Sequence, residues 1–436
     1  MKKIIAMLLA VVMVLGLAAC GATPAPETTA APETTAAPAE TEASAEAPAE
    51  GKKYEGVTLT MWSMWNSNEP QGEVIAKAAE AFEAETGAHV EIVWKGRELN
   101  QVLSASLEAG EKFDIFEDDY KRIGLQYADF TYDLTEMAKA VDYDSFSYPA
   151  LNKQSIAWAG YLNAIAEQPQ VGGIFYDKAA FETAGITTLP TTWEEFMAVS
   201  EQLKAAGIAP LALDATYADF TFYHHLVHKL GEPRIEELSL NGGWDQEPGV
   251  AEAAQEVIDY VNKGYLVEGA PDEFPASENK IGYGLAAMIV CANYVTAEVN
   301  NNTQTEVDWG MMPYPEVPNG VANAATYAGA NSLAITKYSE NPQAAFDFIM
   351  FLTTGEYDQM MADTAKQIPA DNRNKAPAVL NGTVETLLAA ESPMSWCASL
   401  QANSDLKDSI KTLCINLYEG KFATGADFAA AMQALY

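Results

Sequence analysis

Apolar and polar residues alternate over residues 57–61, the period of a strand with one more-buried face, and Trp62 ends the run. From residue 72 the period becomes that of a helix: Val74, Ile75, Ala78, Ala79 and Phe82 share one face, and Gly87 supplies the stop. The same reading predicts a strand over 90–94, a helix over 99–107 ended by Gly110, and a strand over 113–116. This βαβαβ order implies a parallel sheet with helices on its faces.

The pattern returns after residue 175. Thr192 and Glu195 have the spacing of a capping box for a helix running to Ala206, with Gly207 as its stop and a strand over 208–213. Pro248 opens a further helix, Gly264 closes it, and residues 285–290 form an apolar strand. Asn341-Pro342 starts a helix whose apolar face carries Ala345, Phe346, Ile349 and Leu352, with Gly355 as its stop. A second α/β lobe is therefore expected.

The N-terminus differs in kind. Lys2 and Lys3 precede an apolar run over 4–17, the order of a secretory signal peptide, and the run is too short to span a bilayer comfortably. Residues 21–53 are almost wholly Ala, Pro, Glu and Thr, with near-repeats at Ala25-Pro26-Glu27-Thr28-Thr29 and Ala31-Pro32-Glu33-Thr34-Thr35. Such a composition cannot bury a core and reads as an extended tether. About 380 residues remain, enough for two domains of roughly 150–200 residues.

Twenty-five basic residues against 61 acidic ones give a formal charge of -36. Nucleic acid and anionic lipid need a basic surface, so both are excluded as partners. Beyond Cys20 the cysteines are Cys291, Cys397 and Cys414, without metal-like spacing. Free buried thiols are expected, and a Cys397–Cys414 disulfide stays open. No Gly-rich phosphate loop, nucleophile elbow or paired-cysteine site is present, so no cofactor is expected.

Leu17-Ala18-Ala19-Cys20 resembles the lipobox of bacterial lipoproteins, which implies a signal peptide over 1–19 and a lipid on the Cys20 thiol, followed by the tether over 20–53. Further phrases appear in order along the body. They include Thr58-Leu59-Thr60-Met61-Trp62, then Leu107-Glu108-Ala109-Gly110-Glu111-Lys112-Phe113-Asp114-Ile115. Phe175-Tyr176-Asp177-Lys178 and Thr192-Trp193-Glu194-Glu195-Phe196 follow, then Ala344-Ala345-Phe346-Asp347-Phe348-Ile349. Together they resemble the extracellular solute-binding proteins of ABC importers, in particular the carbohydrate-binding, maltose-binding-protein-like type. The resemblance implies a two-lobed periplasmic-binding-protein-like α/β fold with three crossovers, near 170–175, 310–315 and 353–356. One lobe would hold 54–172 and 314–354, the other 173–313 and 355–436. It also implies a monomer on the outer face of the cytoplasmic membrane that takes a sugar into an interlobe cleft and docks on a permease.

A sugar presents a C–H face and a rim of hydroxyls, so its site needs flat aromatics with amides or carboxylates. Trp62, Trp65, Asn66 and Glu69 leave the first strand at its carboxyl end, where α/β sheets hold ligands; the competing reading puts Trp62 in the core. Asp119 and Tyr120 follow the third strand. By the resemblance, Gln170 sits at the first crossover, Tyr217 and Asp219 in a second-lobe loop, and Tyr327 and Asn331 before a first-lobe strand. Ala292-Asn293-Tyr294 stands where family members often carry Gly-x-Trp, and Trp396 matches a stacking residue. Trp158 and Tyr161 are weaker candidates.

Two other classes of function compete. A surface glycoside hydrolase would use two of the many carboxylates. A metal-binding lipoprotein would use His224 and His228, which are i, i+4 on an expected helix. His225 stands where a zinc-protease helix carries its glutamate, so that motif is absent, and an ordinary helix surface is the expected setting.

Overall fold

The alternating run becomes β1 (Thr58–Ser63), which pairs in parallel with β2 (His89–Trp94) on one side and β3 (Ile115–Asp119) on the other. Between β1 and β2 lies the helix Pro70–Thr86, with proline in its first turn and Gly87 closing it at φ 83°. Only glycine takes that left-handed angle without strain. The helix Leu99–Ala109 connects β2 to β3. The computed structural model describes residues 51–436 apart from Asn381. The signal peptide, Cys20 and the tether up to residue 50 lie outside the described residues. No described helix is long and apolar enough to cross a membrane.

The remaining strands are β4 (Ile165–Asp177), β5 (Ala209–Ala212), β6 (Ala286–Ala292), β7 (Trp309–Met312), β8 (Ala325–Ile335) and β9 (Ser392–Met394). The sheet runs β2-β1-β3-β8-β4-β6-β5, with β7 joined to β4 and β9 to β8. Outer pairs are parallel, whereas β8 runs antiparallel to β3 and β4, and β4 antiparallel to β6 and β7. Thr192 and Glu195 form the capping box: the Thr192 hydroxyl accepts from Glu195 N at 3.3 Å, and the Glu195 carboxylate accepts from Thr192 N at 3.2 Å.

Apolar side chains collect into two cores. One surrounds β1, β2, β3 and the helix Pro342–Thr353; the other surrounds β5, β6 and the helix Ala218–Leu230. Along β4 the change of core comes between Val171 and Ile174. Two other changes fall later than the sequence suggests. Met312, Tyr314 and Val317 still pack in the second core, and β8 changes core between Tyr327 and Ala328 rather than near 310–315. Tyr314 stays with the second core, its ring packed near Trp193, His224 and His225.

Gly355 ends one helix at φ 58° and starts another, Gly355–Ala365. Met361 and Ala365 return to the first core, so the expected crossing at 353–356 is a corner within it. The last change lies between Leu387 and Met394. Cys291, Cys397 and Cys414 are free and buried, so the Cys397–Cys414 disulfide is not formed.

Candidate functional site

The two crossing strands meet beside a cavity of about 660 Å³, within the range of small-molecule sites. Strand register assembles one wall. Asp119 at the end of β3 lies opposite Asn331 of β8, and Gln170 of β4 opposite Gly329. The Tyr327 hydroxyl donates to Gln170 Oε1 at 3.0 Å across those strands. Tyr327 fits there because its neighbours are glycines: a Cβ at Gly172 would stand 2.9 Å from the Tyr327 Cβ, and one at Gly329 2.5 Å from its hydroxyl.

The opposite wall is aromatic. Trp396 follows β9, in a segment held by Glu232, whose Oε1 accepts from Ser395 N and Oγ at 3.2 Å each. One face of the Trp396 indole is covered by Phe220, stacked at 3.6 Å and 7°. Tyr327 and Tyr217 stand edge-on to it at 5.5 and 6.0 Å, and Tyr294 lies 6.4 Å away. Trp396 itself lines the cavity.

Polar groups complete the lining. Asp119 opens the helix Tyr120–Leu125, accepting from Arg122 N at 3.1 Å, and burial pushes its carboxyl above the usual range. Arg122 pairs with the buried Asp118, its Nε donating to Oδ1 at 3.0 Å. Lys121, Gln126, Gln401, Ser395, Ser404 and Lys407 also line the cavity. Burial lowers the pKa of Lys121, partly opposed by Asp119.

Of the candidates read from the sequence, the cavity gathers Asp119, Tyr120, Gln170, Tyr294, Tyr327, Asn331 and Trp396, together with Trp158. It does not gather the group after β1. Trp62 is buried in the first core, stacked on Phe113 at 4.1 Å, with Lys95 Nζ 3.9 Å above its ring. The core reading of Trp62 therefore holds. Trp65 is buried under the Arg97 guanidinium, and Glu69 pairs with Arg97 at 3.0 Å and accepts from Asn66 N at 2.6 Å. Asn66, Glu69 and Arg97 thus pair with one another, while the buried Trp65 indole N–H has no hydrogen-bond partner among the described residues.

The other residues stand behind the wall. Asn293 is fully buried; its Oδ1 accepts from Val171 N at 2.9 Å, and its amide donates to Gln367. Asp219 accepts from Gln401 at 2.8 Å, and Tyr217 packs against Trp396 and Phe274. Tyr161 donates to Ala128 O at 2.6 Å, away from the cavity.

The bacterial extracellular solute-binding protein family matches residues 66–359, about two-thirds of the chain. The chain belongs to that family. This solute-binding protein is 31% identical over 110 residues to a probable sugar-binding periplasmic protein of Mesorhizobium japonicum. That stretch is 25% of this chain and only 26% of the relative's length. It is 22% identical over 439 residues to the maltodextrin-binding protein MdxE of Bacillus subtilis, covering 97% of this chain and 94% of that one. The bacterial solute receptor AcbH, described with an exclusive preference for b-D-galactopyranose, has the same fold. Its TM-score is 0.73 at 16% identity, over 88% of this chain and 98% of that one.

Two further groups in this solute-binding protein bear on chemistry. His224 and His228 are buried, not on a helix surface: His224 Nδ1 lies 3.0 Å from Phe220 O and His228 Nε2 3.0 Å from Ala325 O. Burial lowers their pKa values to about 3 and about 4, the state of neutral rings. Among the described residues no group of three or more His, Cys, Asp or Glu is arranged to hold a metal ion. Glu117 of β3 accepts from Ser63 Oγ at 2.5 Å and Met64 N at 2.8 Å, with Glu167 of β4 beside it. Burial raises both carboxyls, Glu167 to about 7.

Lys121, Arg122, Gln126, Gln401 and Lys407 were not among the sequence candidates. A signal for two of them exists: Lys121-Arg122 is the single adjacent basic pair after Lys53 in an acid-rich chain.

Proposed function

We propose that this solute-binding protein captures a mono- or oligosaccharide in the 660 Å³ cavity and hands it to the permease of an ABC importer. This reading rests on Trp396, an indole stacked on Phe220 that lines a cavity also edged by Gln170, Asn331 and Gln401. A flat aromatic face suits sugar C–H groups, and amides that both donate and accept suit hydroxyls. The ligands named for MdxE and AcbH, a maltodextrin and a galactopyranose, support the same class.

Binding without catalysis is the better reading. Glycoside hydrolysis needs two carboxyl groups about 5–9.5 Å apart across the scissile bond. The cavity lining holds one, Asp119. Cleavage and lipidation at Cys20, with residues 21–53 as tether, would hold a monomer on the outer face of the cytoplasmic membrane, close to its permease.

A thermal-shift panel of neutral and charged saccharides, amino acids and cations tests this reading. A ligand that binds only the folded state stabilises it by about 2.7 kcal/mol at a hundred times its Kd. The expected result is a rise in Tm with a saccharide that chromatography then recovers intact. A rise with amino acids alone, or steady cleavage of the saccharide, would contradict it.

A further inference from the structure

The cavity's charge is the reverse of the chain's. Overall the protein has 25 basic and 61 acidic residues, but the lining carries Lys121, Arg122 and Lys407 against Asp119 alone. Arg122 is held by the buried Asp118, and the Asp119 carboxylate caps the helix that carries Lys121. Two ammonium groups are left over. Among the described residues neither Lys121 nor Lys407 has a carboxylate within 4.0 Å.

Lys407 is exposed, and an unpaired surface lysine means little by itself. Lys121 is different, because it is partly buried in the cavity wall. Withdrawing an ammonium from water without a salt-bridge partner is costly, and burial lowers its pKa, an effect that Asp119 only partly opposes. Neutral hydroxyls do not call for such a group, since Gln126, Gln170, Asn331 and Gln401 already serve them.

We propose that the captured saccharide is acidic, with an anionic ring substituent seated against Lys121 and drawn in past Lys407. The inference deepens the sugar-capture reading and rests on it. The charged group is a carboxylate or a phosphate; both accept charge-assisted hydrogen bonds from ammonium groups. Asp119 then sets orientation: it accepts from a hydroxyl and repels the anion from its own side.

The test is isothermal titration of the full-length protein with matched pairs: galactose and galacturonate, glucose and glucuronate, glucose and glucose 6-phosphate, and the corresponding trisaccharides. Acetate and inorganic phosphate serve as anions without a ring. An acidic sugar is expected to bind at least tenfold more tightly than its neutral partner. Lys121→Gln should weaken it by about 10- to 100-fold, the range of a hydrogen bond to a charged group. Lys407→Gln, at an exposed position, should weaken it severalfold and flatten its salt dependence. The uronate and phosphate arms identify the charged group.

Neutral sugars binding as tightly as acidic ones would overturn the proposal and leave sugar capture standing. Acetate or phosphate matching the acidic sugars would also overturn it. If no saccharide of either kind binds a folded protein, both readings fall.

Discussion

Trp62→Ala is expected to weaken the fold and spare the ligand, and Trp396→Ala to weaken ligand binding. The Trp62 side chain is 5% exposed, its ring 4.1 Å from Phe113 and capped by Lys95. Truncating a buried tryptophan costs about 3–5 kcal/mol, out of a total stability of roughly 5–15 kcal/mol. At about 2–4 °C per kcal/mol the midpoint should fall by roughly 6–20 °C. Affinity measured well below that midpoint should stay within about threefold. Trp396 lines the cavity as well as stacking on Phe220, so its loss removes a ligand contact along with that packing. An anchoring aromatic of this kind is worth about 2 kcal/mol or more, close to thirtyfold in Kd. Trp396→Phe should restore part of that. The assay pairs thermal unfolding by circular dichroism with titration calorimetry on both variants. A Trp62→Ala protein that unfolds at the wild-type midpoint yet no longer binds sugar would refute the assignment of Trp62 to the core.

Three more outcomes are expected. Glu167, raised from 4.5 to about 7, holds in the fold a proton that the unfolded chain releases near 4.5. Its contribution is therefore full below about pH 4.5 and lost as pH rises through about 7, by about 3 kcal/mol at 1.4 kcal/mol per unit. Glu167→Gln should shrink the fall in urea midpoint between pH 5 and pH 8, while Glu278 and Glu298, raised to about 9 and about 7, keep part of it. An unchanged fall would contradict the buried pair. Gly172→Ala pushes a Cβ to 2.9 Å from Tyr327 and should cost about 1–3 kcal/mol while weakening ligand binding. Wild-type affinity would count against Tyr327 as a cavity residue. Cys291, Cys397 and Cys414 should react with a thiol reagent only after denaturation, and reductant should leave Tm unchanged. A lower Tm in reductant would reveal the disulfide that the structure lacks.

Local signals in the sequence carried well. The alternation over 57–61 and the Thr192–Glu195 spacing describe contacts between near neighbours, and both appear in the structure. Trp62 shows where such reasoning ends. A tryptophan at a strand end can turn toward ligand or core, and what decides here is Phe113, 51 residues along the chain. The change of core at Tyr327 depends likewise on Gly172 across the sheet, a contact that no local pattern encodes. Gly355 shows a third failure: a glycine stop marks the end of a helix, but not the direction of the next one. Trp396 was legible through resemblance, and its stacking on Phe220 was not. The Lys121-Arg122 pair was visible in the sequence as an oddity of charge, though its meaning needed the cavity around it.

The most direct test is a crystal structure of the protein with the saccharide that most raises its Tm. The account predicts one sugar ring against the Trp396 indole, with hydroxyls bonded to Gln170, Asn331 or Gln401. A sugar seated instead beside Trp62 and Trp65 at the end of β1, with the Trp396 cavity empty, would contradict it.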